Sequence, residues 1–174
     1  MNYPIAHDFS LKLLDDFSEV FFLYPLGILT GSYKKVSQYP RKLYVVDTGI
    51  INEMTSSVDM GRMMENIVFM ELFRRMNRGG RFQISYWKEY GKSEGMEVDF
   101  VIRSGMGINE LINVTYAGSE VEIRDRERKS LKKASRELGC SKLTIITWDY
   151  WKEGEINYIP LWYWLLNDSD FKEP

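Results

Sequence analysis

From Met60 onward the sequence predicts an α/β fold, a mixed sheet with helices on its faces, in the order helix, three strands, helix, strand. Three observations carry this. Apolar residues between 60 and 76 recur at helical spacing around most of a circumference. Three later stretches alternate apolar and polar residues and are joined by short glycine-bearing links. A charged helical segment then ends at Gly139 and leads into a β-branched run. An antiparallel meander followed by a helical crossover gives a sheet of mixed direction.

The elements follow in order. Phe9, Leu13, Leu14 and Phe17 predict a helix over 9–20. Residues 21–24 read as a strand stopped by Pro25 and Gly27, and 43–46 as a second strand. Between them Lys34, Lys35, Arg41 and Lys42 stand without an acid. A helix followed by a ribbon with a basic tip fits the end of a winged helix-turn-helix domain. A solvated loop between two core strands fits equally. Asp47-Thr48-Gly49 reads as a turn, and Asp59 as the cap of a helix over 60–76 that packs on more than one side. Strands are expected over 81–90, 96–103 and 108–116. A helix over 120–138 carries Ile123, Leu131, Ala134 and Leu138 as its apolar stripe, and a buried strand spans 143–148. The chain then turns acidic, and Pro160 opens a short aromatic helix over 161–166.

Composition narrows the function. The chain has 174 residues, 23 basic and 25 acidic, with a net charge of -2. Bulk charge therefore does not draw it onto nucleic acid, and any such binding must come from local patches. A single cysteine, Cys140, excludes an internal disulfide and a cysteine-based zinc site. A single histidine, His7, excludes zinc hydrolysis on several imidazoles. The sequence begins with no secretory pattern, and its longest uncharged apolar run, 20–29, is too short to span a bilayer. The expectation is a cytoplasmic protein with no membrane partner. Neither Gly27-Ile-Leu-Thr-Gly31-Ser-Tyr-Lys34 nor Gly105-Met-Gly107 has the spacing of a phosphate-cradling loop, so no ATPase activity is expected from this chain alone.

Chemistry, if present, falls to carboxylates. Asp99 interrupts a strand pattern, and Glu65 sits mid-helix one turn before Val68, Phe69 and Leu72. Carboxylates among apolar neighbours need a partner or a metal. Convergence at a sheet edge would suit Mg2+, which activates water and neutralises charge on a phosphate. Spacing alone favours salt-bridged carboxylates at the sheet edge.

Several stretches together resemble a known module. They are Lys42-Leu-Tyr-Val-Val-Asp-Thr-Gly49, Gly61-Arg-Met-Met-Glu65-Asn66, Glu97-Val-Asp99-Phe-Val101 and Leu111-Ile-Asn-Val-Thr-Tyr116, followed by Glu122-Ile-Arg-Asp-Arg-Glu127, Ile145-Ile-Thr-Trp148 and Ile159-Pro-Leu-Trp162. In this order they are similar to the C-terminal domain of archaeal AAA+-type ATPases, which resembles PD-(D/E)XK nucleases. The resemblance implies a restriction-endonuclease-like sheet over 43–174, preceded by a winged-helix remnant over 1–42. An ATPase module precedes this domain in the full-length relatives.

By position, the resemblance makes Glu65 the helix carboxylate and Asp99 the metal-binding aspartate, with Mg2+ as the implied cofactor. The acid and lysine expected next fall on Asn113 and Thr115, so both are replaced. Asparagine is an uncharged ligand and threonine cannot stand for an ammonium. Glu110, at an odd offset from Asn113, faces the other way. A relocated lysine could be Lys88 or Lys129. The resemblance thus implies a catalytically degenerate domain that binds DNA or another partner, or else a metal-dependent endonuclease with a rearranged site. Candidate DNA contacts are Lys34, Lys35, Arg41 and Lys42, and the row Arg124, Arg128, Lys132 and Arg136 at four-residue spacing. A third basic cluster is Arg74, Arg75, Arg78 and Arg81.

Overall fold

The structure, a computed structural model, describes residues 7–20, 22–30, 39–54, 59–89 and 95–167. Its core is a five-stranded sheet ordered β3-β4-β5-β6-β7, formed by Gln83–Lys88, Glu97–Ser104, Gly107–Val114, Leu143–Thr147 and Asn157–Pro160. The first three strands pair antiparallel and the last three parallel. The mixed sheet with flanking helices is the architecture expected from the element order.

Each face carries its own apolar layer. Helix α3 (Met60–Asn77) places Met64, Val68, Phe69 and Leu72 against Phe100, Ile102, Ile112 and Ile146. Helix α4 (Asp125–Leu138) places Leu131 and Ala134 against Val98, Val101, Leu111 and Ile145 on the other face. Asp59 caps α3 through the N–H of Arg62 at 3.1 Å, as its position predicts. Gly139 ends α4 in the left-handed region, φ +68°, where a side chain would be strained. Helix α5 (Leu161–Leu166) is tied to α3 by Arg75, which stacks over the Trp164 ring at 4.3 Å and donates to its carbonyl at 2.8 Å.

The helix α1 (His7–Glu19) leads into a two-stranded ribbon, β1 (Leu23–Leu26) with β2 (Lys42–Val45). The ribbon packs on the α3 face: Leu26, Ile28 and Tyr44 are buried in the same cluster as Phe69 and Phe100. Leu29 N–H donates to the Tyr86 carbonyl at 2.7 Å, and Tyr86 N–H to that of Gly27 at 3.1 Å. A boundary at 42/43 would fall inside β2. Asn66, buried on α3, fixes the ribbon by copying a strand neighbour. It accepts from Val45 N–H and donates to Val45 C=O, each at 2.9 Å.

Three local expectations are corrected, and one strand is added. Pro25 lies within β1 rather than stopping it, which an edge strand tolerates. The 47–49 turn opens a helix, α2 (Thr48–Met54), with Asp47 accepting from Gly49 N–H. The segment 120–138 is a 3-10 turn over Glu120–Glu122, then an extended Arg124, then α4. Asn157–Pro160, to which the sequence pattern assigned no element, is the sheet's edge strand. No described helix is long and apolar enough to cross a membrane.

Candidate functional site

Lys42 and Tyr44 lie two residues apart on β2 and so share one face of the ribbon. That face looks onto Glu65 of α3, whose height along β2 is set by the Asn66 clamp. The sheet brings up the rest. Along β4, Val98 pairs with Trp87 and Val101 with Ser85, leaving Asp99 and Phe100 opposite the single residue Tyr86. This bulge breaks strict alternation, so Asp99 reaches the ribbon while its neighbour Phe100 packs 5.8 Å from the Tyr44 ring.

The Lys42 ammonium stands where these elements meet. Its Nζ lies 3.0 Å from Glu65 Oε1, 2.8 Å from Asp99 Oδ1 and 2.7 Å from Glu97 Oε1. Tyr44 donates its hydroxyl proton to Glu65 at 2.7 Å. Asp99 accepts with its second oxygen from Val114 N–H at 3.0 Å. Asn113 is directly across on β5: its Oδ1 accepts from Asp99 N–H at 3.1 Å, and its Nδ2 donates to Glu127 Oε2 at 2.8 Å and Ser130 Oγ at 2.9 Å. Glu65 also lines an open cleft of about 730 Å³ with Asp59, Arg62, Thr115, Arg124 and Glu127.

Electrostatics follow from this packing. Burial pulls the Lys42 amine down, but Asp99, Glu65 and Glu97 outweigh it, and the net shift is upward, so the ammonium stays charged. At Asp99 burial and then the Glu65 charge raise the carboxyl to about 7, against the opposing pull of Lys42. Burial, then Glu65, raises the Tyr44 hydroxyl. Burial also raises Glu127.

A folded-state value for Asp99 above the ordinary carboxylate value of about 3.9 has a definite sign. The folded protein holds a proton that the unfolded chain releases. That stabilisation is full below about pH 4 and is lost as pH rises through 7. Urea unfolding of Asp99→Asn is therefore expected to lose this part of the pH dependence between pH 4 and 7. Carbon-13 titration of the wild-type carboxyl should show a midpoint near neutrality. A midpoint near 4 would contradict the assignment.

The site does not fit a resident divalent cation. The vertex shared by the three carboxylates is held by the Lys42 ammonium at hydrogen-bond distances. Mg2+ requires oxygens at about 2.0–2.1 Å in octahedral array. Among the described residues no group of three or more acid, histidine or cysteine side chains is spaced to share a metal.

The other expected residues are distributed as follows. Thr115 lines the cleft, and its N–H is engaged by the Ile146 carbonyl at 2.9 Å. Lys88 reaches Glu97 at 3.6 Å. Glu110 lies away from the cluster, bonded by Thr144 at 2.5 Å and paired with Lys142 at 3.2 Å. Lys34 and Lys35 lie outside the described residues, and Arg41 is exposed.

The basic candidates are placed as follows. Lys42 is part of the carboxylate cluster rather than of a basic tip. In the four-residue row, Arg124 precedes α4 as its N-cap, and Arg128, Lys132 and Arg136 lie along the helix. Within it Arg128 donates to Tyr158 Oη and the Ile123 and Glu120 carbonyls, each at 3.0 Å, while Lys132 pairs with Glu155 at 2.7 Å. In the third cluster Arg75 is buried, and Arg74 and Arg75 both pair with Glu71.

Sequence reasoning missed Glu97, Tyr44, Asn66 and Glu127 as members of this network. The i, i+2 spacing of Lys42 and Tyr44 was the available signal for a shared strand face.

A model of the family described as a domain of unknown function, DUF4143, matches residues 60–164. The chain is 33% identical over 178 residues to "Uncharacterized protein MJ1544" of Methanocaldococcus jannaschii, across 95% of this chain and 38% of that protein. It therefore spans well under half the length of that relative. Among solved structures it is similar to a chain of the "Refined half-complex from tetradecameric assembly of Thermococcus gammatolerans McrB AAA+ hexamers with bound McrC". That likeness has a TM-score of 0.39 and 16% identity, and covers 59% of this chain and 28% of the other.

Proposed function

The chain belongs to the DUF4143 family, and from that premise we propose that it is a catalytically silent, nuclease-like domain that serves as an interaction module for an ATPase. One observation carries the reading: the Lys42 ammonium occupies the point on which Glu65, Glu97 and Asp99 converge. An ammonium at the centre of the cluster offsets part of its charge, ties the ribbon to the sheet and occupies the vertex that a cation would take. Asn113 and Thr115 agree with it, since the first is engaged in the buried network and the second carries no charge. The ATPase association rests on the motif order quoted above.

Duplex DNA is the weaker partner class. Asp59, Glu65, Glu122 and Glu127 line the cleft against Arg62 and Arg124, so its field opposes phosphate. With about two exposed cations contributing, log K should fall against log salt at a slope of about -1.8, in the non-specific affinity range.

The test is an incubation of the full chain with duplex, single-stranded and branched DNA in Mg2+ and in Mn2+. No cleavage and only weak, salt-sensitive binding are expected. Metal-dependent cleavage abolished by Asp99→Asn would replace this reading with that of an endonuclease whose lysine has moved to position 42.

A further inference from the structure

Aromatic rings crowd one exposed surface formed by the chain after β6. Trp148, Trp151 and Trp162 are three of the five tryptophans, and each is 45–54% exposed. Tyr163 stands edge-on to both Trp151, at 4.5 Å, and Trp162, at 5.7 Å. Trp148 contacts Tyr116 at 5.3 Å. Trp162 Nε1 donates to Asp149 Oδ1 at 3.0 Å, which joins the two ring groups across the bend after β6.

These rings are held in place. Leu161 and Trp164 anchor α5 in the core, and Trp148 N–H donates to the Ala117 carbonyl at 3.0 Å. A fixed patch loses little freedom when it is covered, and tryptophan is enriched among residues that anchor interfaces. An exposed aromatic patch of this kind marks a contact surface.

The charge around the rings selects the partner. Asp149 and Glu153 are exposed in the same segment, as is Glu155, which is paired with Lys132 at 2.7 Å, and the segment's one cation, Lys152, is paired with Glu120 at 3.0 Å. Residues 161–166 carry no charge. Carboxylates beside indole faces repel phosphate and attract a guanidinium, which stacks on the ring and pairs with the acid in one geometry. The protein already uses the stacking half of this chemistry where Arg75 lies over Trp164.

We infer that this surface docks an arginine-bearing segment of a partner protein, with guanidinium groups on the exposed indoles and pairing to the acids around them. The inference rests on the interaction-module reading and gives that module its contact surface.

The test is a tryptophan-fluorescence titration of the full chain with four probes. These are a dodecapeptide with four arginines among serine and leucine, its lysine and glutamate counterparts, and a twelve-nucleotide oligo-dT. The arginine peptide should bind and shift the emission, the lysine peptide should bind more weakly, and the other two should not bind. A Trp151→Ala/Trp162→Ala variant should weaken the arginine peptide about tenfold with an unchanged urea midpoint. Glu153→Lys, at an exposed position, should weaken it several-fold and independently of the rings.

Equal binding of the arginine and glutamate peptides would overturn the inference. So would preferential quenching by oligo-dT, which would make the surface a base-stacking platform. Concentration-dependent self-association lost in the double variant would also overturn it, by making a second copy the occupant. Metal-dependent DNA cleavage would defeat the functional reading through a different assay and leave this titration unaffected.

Discussion

Replacing Lys42 with methionine is expected to destabilise the protein by about 3 kcal/mol at pH 8. Methionine keeps the length of the side chain and removes its charge. Three carboxylates then face one another with side-chain exposures of only 17–27%. Removing one partner of a buried ion pair costs about 3–5 kcal/mol, and residual solvent access places this case at the lower end. For a domain of this length the melting temperature should fall by about 6–12 °C. The loss should be smaller at pH 5.5, because Asp99, held at about 7 even beside Lys42, takes up a proton and relieves the repulsion. Adding Asp99→Asn to the methionine variant should recover part of the stability, with a coupling of about 1–3 kcal/mol. Urea unfolding at the two pH values measures all of this. A methionine variant as stable as wild type at pH 8 would show that the cluster is solvated and unimportant.

Asn113→Asp is expected to cost about 3–5 kcal/mol at pH 8 and to confer no nuclease activity. The substitution places an acid where the PD-(D/E)XK pattern has one. Yet Asn113 is fully buried, and its Nδ2 donates to the carboxylate and carbonyl of Glu127 and to Ser130. An aspartate has no donor there when ionised. It would set a second negative oxygen against Glu127, 2.8 Å from the present nitrogen. The new carboxyl should therefore stay protonated near neutral pH, and the stability deficit should shrink as pH is lowered. Denaturation midpoints at pH 5.5 and pH 8 measure it. A stable, metal-binding Asn113→Asp protein would mean that the asparagine network is replaceable.

The element order from α3 to β6 was readable because apolar periodicity reports local structure. The all-round apolar character of 60–76 correctly indicated a helix packed on several sides, here against sheet, ribbon and α5. The pairing of Asp99 with Asn113 across adjacent strands likewise followed from the element order. What failed was what depends on distant contacts. A strand with period two puts Asp99 opposite Phe100, but the bulge at Tyr86 turns both toward the ribbon. Lys42 looked like one cation in a basic tip because composition gives no sign of three acids arriving from α3 and β4. Arg128 looked free on a helix face, whereas its partners come from the turn before the helix and from Tyr158 on β7. Asn66 carried no readable signal, since its role is to complete the hydrogen bonding of a strand edge 21 positions away.

The central claim is that the Lys42 ammonium, and not a metal, occupies the point on which Glu65, Glu97 and Asp99 converge. The most direct measurement is an anomalous difference map from wild-type crystals soaked in Mn2+ at pH 8. The account predicts no manganese peak shared by Glu65 and Asp99, with the Lys42 ammonium still between them. A peak bonded to both carboxylates, with the Lys42 side chain displaced, would contradict it.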